Sequence, residues 1–450
     1  MVGPARAASY RALRSISTGI QDLPSACAAE DVVLGDPRDR SLMREIVTGT
    51  LRWQRRLDHL LTCLAKRESC TLDPEVLTLL RLSAYQLLYL DRVPASAVVD
   101  DAVHLTRKAR KSSAAGFVNG VLRSLSRQRA NLPLPDRATS YASRADQLAY
   151  LGVSLSHPDW LVERWLDRMG FDDTQRWLSF NNEVPAPCLR TNPFRGTREE
   201  TLASLTKVGV QVRQARWAPG ALIVESGDPS AQVASGQVFV QDEASQLVAA
   251  LVQPRAGSRV LDICAAPGGK STAIAAHMLD GGLVVSCDVR PRRIRMLAEV
   301  VRVSGSKSIH SVQIDTKLPL PVAPIFDWVL VDAPCSGLGT LRRDPDVRWR
   351  RTASDLPGLA EAQFDLLEKA SDAVRPGGQL VYATCSSEPE ENEEVVIRFL
   401  ECHPLFVLVN LSEQRSPGVP PEVIDADGLL RTSPHRHGLG AFFGAVLARR

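Results

Sequence analysis

With 450 residues, 44% of them hydrophobic and 23% charged, the chain has the composition of an ordinary globular protein and length for about three domains, each with its own core. No stretch approaches the ~18 consecutive apolar residues of a membrane span, and "MVGPARAASYRALRSIS" lacks an apolar core followed by a cleavage site, so neither a membrane anchor nor a signal peptide is expected. Nine cysteines at irregular spacing, with no C-x-x-C pair, argue against a disulfide framework and a zinc site, and for reduced thiols in the cytoplasm.

The net charge of +3 conceals an asymmetry. Residues 1–135 hold 20 Lys/Arg against 13 Asp/Glu, a surplus of seven, so the remainder carries −4. The surplus is concentrated in 107–129, "RKARKSSAAGFVNGVLRSLSRQR", which has seven basic residues and no acid. Such a stretch suits a polyanion, since each phosphate contact releases counterions, and suits a solvated helix face equally well.

Residues 5–130 read as helix throughout, with apolar side chains at three and four spacing in "SLMREIVTGTLRWQRRLDHLLTCLA" and "PEVLTLLRLSAYQLLYL". Asp73-Pro74 is a helix start signal, and another helix opens after Pro94. Residues 1–135 are therefore expected to form an all-α domain, closed by a linker at "NLPLPDRA" (131–138).

Residues 139–236 read as a small α+β connecting module. "PDWLVERWLDRMG" and "DDTQRWLSFNN" predict short helices, "CLRTN" a strand, "TREETLASLTKVG" a helix ending at Gly209, and "VRQARWAPGALIVES" a hairpin around Pro219-Gly220. Its Arg and Trp content fits RNA binding and scaffolding alike.

From 237 to 450 strands alternate with helices. The predicted strands are 258–264, 282–289, 309–315, 326–334 and 378–386, then 406–411 and 441–449. The first five, separated by helical segments, predict a doubly wound, mainly parallel α/β sheet, whose ligands sit outside the carboxyl ends of the strands. The first strand-to-helix turn is "DICAAPGGKST", neither G-x-G-x-x-G nor G-x-x-x-x-G-K-[ST]. Its glycines allow close backbone approach, and the helix amino end offers free N–H groups. Asp288, after the second strand, is placed to accept from ribose hydroxyls, and Asp315, after the third, from an adenine amino group. Each Asp taken alone reads as a loop cap. Asp262, Asp288 and Asp315 at successive strand ends point to a nucleoside-containing cofactor.

"DAPCSG" puts Asp332 and Cys335 after the fourth strand, and "ATCS" puts Cys385 after the fifth. A lone cysteine at a strand end is usually an inert small hydrophobe. Two of them beside Lys270 and Asp332 make nucleophilic chemistry credible.

"DICAAPGGK", "VLVDAPCSG", "RRDPDVRW" (342–349) and "LVYATCSSEPEENEEVV" resemble the signature blocks of the S-adenosylmethionine-dependent RNA cytosine-5 methyltransferases. "EIVTGTLRWQRRLDHLL", "LLRLSAYQLLYLDRVPASAVVDDAV" and "AAGFVNGVLRSLSR" resemble the RNA-binding domain of the antitermination factor NusB, and "LRTNP" with "FVQDEASQ" resembles the connecting region. In this order the parts are similar to the bacterial 16S ribosomal RNA cytosine-5 methyltransferases of the Sun/Fmu (RsmB) type.

The resemblance implies a NusB-like domain followed by the α+β module and a Rossmann-like class I methyltransferase domain. It also implies a cytoplasmic, metal-free monomer acting on 16S ribosomal RNA. Cys385 would add to cytosine C6, and Cys335 would assist removal of the C5 proton and release of the enzyme. Asp332 would hydrogen-bond the N3 and N4 edge, and Lys270 would position the base or the thiolate. S-adenosylmethionine would lie along Cys264, Ala265, Ala266, Pro267, Gly268, Gly269 and Lys270. Asp288 and Arg293 would take its ribose side, Asp315 its adenine, and Asp332 its methionine end.

One departure stands out: the family's Asp-Gly before two phenylalanines is here Gly440-Ala441. "PHRHG" (434–438) reads as a substrate-lining loop, and Glu391 and Asn392 as braces of the Cys385 loop. A transfer RNA cytosine-5 methyltransferase shares the catalytic blocks, and a non-catalytic NusB-like RNA-binding factor is the reading from another class. The NusB-like segments argue against the first, and the full set of Lys270, Asp332, Cys335 and Cys385 against the second.

Overall fold

A computed structural model of the chain describes residues 2–316, 318–414 and 416–450. Contacts divide it into two compact units, Met1–Val184 with Leu341–Ala353, and Pro185–Thr340 with Ser354–Arg450. The division thus falls at Val184, where the sequence places its limits at 135–139 and 236–237.

The first unit is helical: α1 (Pro4–Ser17), α2 (Leu23–Val33), α3 (Pro37–Arg52), α4 (Gln54–Ala65), α5 (Pro74–Tyr89), α6 (Ala95–Lys108), α7 (Ala115–Arg127), α8 (Arg144–Ala149) and α9 (Asp159–Asn182). Three of these starts share one local chemistry. Asp22, Asp36 and Asp73 each accept a backbone N–H of the first turn, and a proline follows within the first two helical positions. Such a cap contributes about 1 kcal/mol, and proline there forfeits no hydrogen bond. The two short helices expected at 158–182 are joined as α9, kinked at Gly170, whose φ of 73° lies in the left-handed region.

Residues 341–353 also pack within this unit. The fully buried Arg348 donates to the carbonyl oxygens of Arg52, Ser156, Asn181 and Leu341 and to Asn182 Oδ1. Trp349 Nε1 donates to Leu51 O at 2.6 Å. The "RRDPDVRW" block therefore anchors helices.

The second unit opens with β1 (Cys188–Thr191), α10 (Arg198–Lys207), β2 (Gln211–Gln214), β3 (Ala221–Ser226), α11 (Ser230–Ala234) and β4 (Val238–Val240). These strands form an antiparallel sheet in the order β2-β3-β1-β4. The predicted strand, helix and hairpin are all present, α10 with a Thr197/Glu200 capping box.

Next come α12 (Glu243–Ala249), β5 (Arg259–Asp262), α13 (Gly269–His277), β6 (Leu283–Asp288), α14 (Pro291–Ser304), β7 (Ile309–Gln313) and β8 (Phe326–Asp332). After α15 (Val347–Arg350), which belongs to the first unit, follow α16 (Asp355–Ser371), β9 (Val374–Thr384), α17 (Glu393–Cys402), β10 (Phe406–Leu408), β11 (Leu430–Arg431), α18 (Pro434–His437) and β12 (Phe443–Arg449). The strand order is β10-β12-β9-β8-β5-β6-β7, with β11 pairing β12. β7 to β9 run parallel, and β12 and β10 are antiparallel.

Side chains alternate between two cores. Val260, Leu330 and Val381 pack on one face with α12 and α13, and Leu261, Val329, Val331 and Leu380 on the other with α16 and α17. Truncating a wholly buried member such as Leu367 or Phe399 to alanine is expected to cost about 2–5 kcal/mol. β9 begins at Val374, not at the expected 378. Its register with β8 shifts between Phe326↔Val374 and Trp328↔Gln379, so "RPGG" forms a bulge on the strand. Chain order reverses between β5 and β8, where a doubly wound sheet opens its ligand crevice.

Candidate active site

The carboxyl ends of β5, β6 and β8 deliver Asp262, Asp288 and Asp332, and Cys385 follows the end of β9. Asp332 is in register with Ala383, which brings the two cysteine-bearing loops side by side. Cys335 Sγ and Cys385 Sγ are 3.2 Å apart. The hydrogen bond to Cys385, then burial and the Cys385 charge, push the Cys335 thiol well above the ordinary range.

Lys270, in the first turn of α13, donates to Asp332 Oδ2 at 2.7 Å. Burial works against its charge, but Asp332, and more weakly Cys385, hold its pKa above the usual value. The site thus keeps an ammonium group hydrogen-bonded to a carboxylate and within electrostatic reach of Cys385.

The turn preceding α13 is shaped for close approach. Gly268 has φ 113°, and a Cβ there would lie 2.9 Å from Leu297 Cδ1. Arg190 of β1 supports this turn from behind, donating to Gly269 O at 3.1 Å, Thr272 Oγ1 at 2.6 Å and Gln241 Oε1 at 2.6 Å. Burial lowers its pKa to about 10. "LRTNP" and "FVQDEASQ", quoted from the sequence as a connecting region, are therefore the backing of the loop.

Two buried carboxylate oxygens, Asp262 Oδ1 and Asp288 Oδ2, have no hydrogen-bond partner. Asp288 Oδ2 lies 3.7 Å from Arg293 Nε, and Arg293 also donates to Ala266 O at 3.3 Å. A buried acceptor left so costs about 1–3 kcal/mol, which a ligand with hydroxyl or ammonium donors would recover. Burial raises the Asp262 carboxyl to about 7 against the Ser271 hydrogen bond, and Asp332 and Asp288 add to the rise. The crevice therefore suits a cationic ligand carrying hydroxyls, and its residues fit an adenosyl sulfonium compound. Cys264 is itself pushed up by burial, an inert thiol rather than a nucleophile. Asp315 lies beyond the end of β7, two positions later than a strand running to 315 requires, and is exposed.

The other sequence features fall away from chemistry. In "PHRHG", His437 Nδ1 accepts from Ser433 N, its Nε2 contacts Glu422 O, and its ring packs edge-on to Trp217. That cluster forms a structural corner. Gly440-Ala441 is accounted for by packing, since a Cβ at Gly440 would lie 2.8 Å from Gly339 O, and Ala441 N donates to that same oxygen. Sequence reasoning missed Gly339 and Gln363. Gln363 Nε2, on α16, donates to Pro334 O and Glu391 Oε1, and no motif marks it. In the helical unit, Arg107, Lys108, Arg110, Arg123 and Arg127 of the basic stretch are exposed, while Lys111 pairs with Asp73. Among the described residues no cluster of His, Cys, Asp or Glu has the makings of a metal site, and no helix is long and apolar enough to cross a membrane.

Residues 249–448 match the family model described as 16S rRNA methyltransferase RsmB/F, residues 4–127 the NusB family, and residues 157–230 the RsmF/B-like ferredoxin-like domain. The probable ribosomal RNA small subunit methyltransferase B of Bacillus subtilis is 36% identical over 411 residues, 90% of each chain. The chain belongs to the ribosomal RNA small subunit methyltransferase B family. It is an RNA methyltransferase with a NusB domain at its amino end. The Pseudomonas putida ribosomal RNA small subunit methyltransferase B is 34% identical, covering 88% of each chain. The crystal structure of PH0851 matches with a TM-score of 0.81 at 27% identity, over 99% of both chains.

Proposed function

We propose that this methyltransferase transfers a methyl group from S-adenosylmethionine to C5 of a cytidine in 16S ribosomal RNA, through a covalent bond between Cys385 and C6. The observation that carries the reading is the pair of cysteine sulfurs 3.2 Å apart beside the Lys270–Asp332 ion pair. Cytosine C5 is too weak a nucleophile unaided. Addition of the Cys385 thiolate to C6 makes C5 enamine-like, with Asp332 holding the N3 and N4 edge and Lys270 offsetting the negative charge.

S-adenosylmethionine, when bound, supplies an electrophilic methyl group to the activated C5. The residues from Cys264 to Lys270 line its loop, Asp288 and Arg293 its ribose side, Asp315 its adenine, and Asp332 its methionine end. Asp262 has an unpartnered buried oxygen and a carboxyl raised to about 7, and a sulfonium cation bound nearby would favour its ionised form.

After methyl transfer the C5 proton must leave before Cys385 is expelled by β-elimination. The role falls to Cys335, whose sulfur lies 3.2 Å from that of Cys385. Its high pKa stems first from Cys385, and that cause disappears once the Cys385 sulfur is a thioether. With that cause removed, Cys335 gives its own proton to solvent, and the resulting thiolate takes the C5 proton while the C6–sulfur bond breaks and Cys385 leaves as a thiolate. The exposed cations of α6 and α7 supply a sequence-independent hold on RNA phosphates. The test is nucleoside analysis of 16S ribosomal RNA incubated with the chain and labelled S-adenosylmethionine. Labelled 5-methylcytidine is expected with the wild type and none with Cys385→Ala; label in any other nucleoside overturns the reading.

A further inference from the structure

The two cysteine loops come from different strands, and a single carboxylate holds both. Glu391, fully buried between β9 and α17, accepts from the backbone N–H of Ser336 at 2.7 Å and from the Ser386 hydroxyl. Ser336 directly follows Cys335, and Ser386 directly follows Cys385. The two hydroxyls also touch, 3.1 Å apart, and Gln363 Nε2 donates to Glu391 at 2.9 Å while gripping Pro334 O. The Glu391 carbonyl is itself held by the Tyr382 hydroxyl at 2.6 Å.

A buried carboxylate is costly, and among the described residues no ion pair offsets this one. A glutamine of the same shape keeps one acceptor oxygen for the Ser336 N–H and turns an amide donor toward the Ser386 hydroxyl, which already accepts from the Glu388 N–H, so that half of the clasp becomes a weaker, uncharged bond. Only the carboxylate accepts from both loops with its charge assisting each bond.

We infer that Glu391 is a positioning residue that couples the two cysteines, fixing Cys335 against the adduct-bearing Cys385 and so setting the balance between adduct formation and release. The inference rests on the covalent reading above. Loosening the clasp leaves Cys385 able to attack, because its strand is held by β8 and β12. It lets the Cys335 loop drift, and a misplacement near 1 Å costs on the order of a hundredfold in rate.

The test uses the full chain, 16S ribosomal RNA and labelled S-adenosylmethionine, with Glu391→Gln and, as a gentler variant, Ser386→Ala. Three quantities are read: kcat, the KM for S-adenosylmethionine, and the fraction of protein bound to RNA on a denaturing gel. Both variants are expected to lose about tenfold or more in kcat, keep KM within about twofold and accumulate an RNA adduct that the wild type does not. Wild-type kcat without adduct overturns the inference, as does a loss of kcat matched by a loss of cofactor affinity. If Glu391→Gln does not fold, Ser386→Ala reads the same balance. Cys335→Ala is run alongside. If it traps an adduct and the clasp variants do not, Glu391 alone is misassigned; if neither it nor they form an adduct, the covalent reading has failed.

Discussion

Gly339→Ala should disable the methyltransferase without touching either cysteine. Gly339 N donates to Cys385 O at 2.9 Å, and Ala441 N donates back to Gly339 O at 3.0 Å, so the glycine lies flat between the cysteine loop and the start of β12. An added Cβ would stand 1.8 Å from Ala441 O and 2.8 Å from Cys385 O, where ordinary contact begins at 3.4 Å. Relieving the first contact requires about 1.6 Å of separation between backbone segments, neither of which is a flexible side-chain end. Overpacking of this kind costs about 1–3 kcal/mol of stability. Its effect on rate is larger, because a 1 Å error in placing reacting groups costs about a hundredfold, or about 2.7 kcal/mol of barrier. Steady-state transfer of labelled methyl should therefore show kcat down roughly a hundredfold. Equilibrium dialysis should show cofactor affinity within about threefold of wild type, since the Gly268–Lys270 turn is untouched. Turnover at the wild-type rate would refute the argument that this backbone contact sets the position of Cys385.

Two further outcomes follow from the crevice carboxylates. With the Asp262 carboxyl raised to about 7, the ligand-free folded chain holds a proton that the unfolded chain sheds near pH 4. Stability is therefore lost between those values as pH rises, at up to about 1.4 kcal/mol per unit, and levels off above pH 7. Asp262→Asn removes the slope, so chemical denaturation at about pH 5 and pH 8 should show the variant gaining about 2 kcal/mol or more relative to wild type at the higher pH; a constant difference would refute the raised carboxyl. Asp288→Ala should weaken S-adenosylmethionine binding about ten- to a hundredfold by calorimetry, the loss of a charged hydrogen-bond acceptor, and unchanged affinity would remove Asp288 from the ribose side.

The sequence revealed features governed by local chemistry. Asp73-Pro74 marked a helix start, alternation of strand and helix marked the sheet, and carboxylates and cysteines after apolar runs marked the crevice. Features created by tertiary contact stayed hidden. The predicted strand starts at 378, after "RPGG", yet pairing to β8 draws Val374 into the strand ahead of it. "RRDPDVRW" sits among catalytic blocks in sequence, but both terminal nitrogens of the Arg348 guanidinium donate to backbone carbonyls of the helical unit, a destination no spacing encodes. Arg190, Gln363 and Gly339 act through partners distant in the chain, and their residue types alone announce nothing. Glu391 was visible as an acid near a strand end, but its grip on two loops emerged only when β8 and β9 were placed side by side.

The central claim is the division of labour between two touching cysteines, and trapping the adduct tests it most directly. Full-length Cys335→Ala, incubated with 16S ribosomal RNA and labelled S-adenosylmethionine, should yield a protein–RNA species stable on a denaturing gel. Mass spectrometry of that species should place a methylated cytidine on Cys385, and adding Cys385→Ala should abolish it. Free 5-methylcytidine produced at the wild-type rate by Cys335→Ala, or an adduct that survives loss of Cys385, would contradict the account.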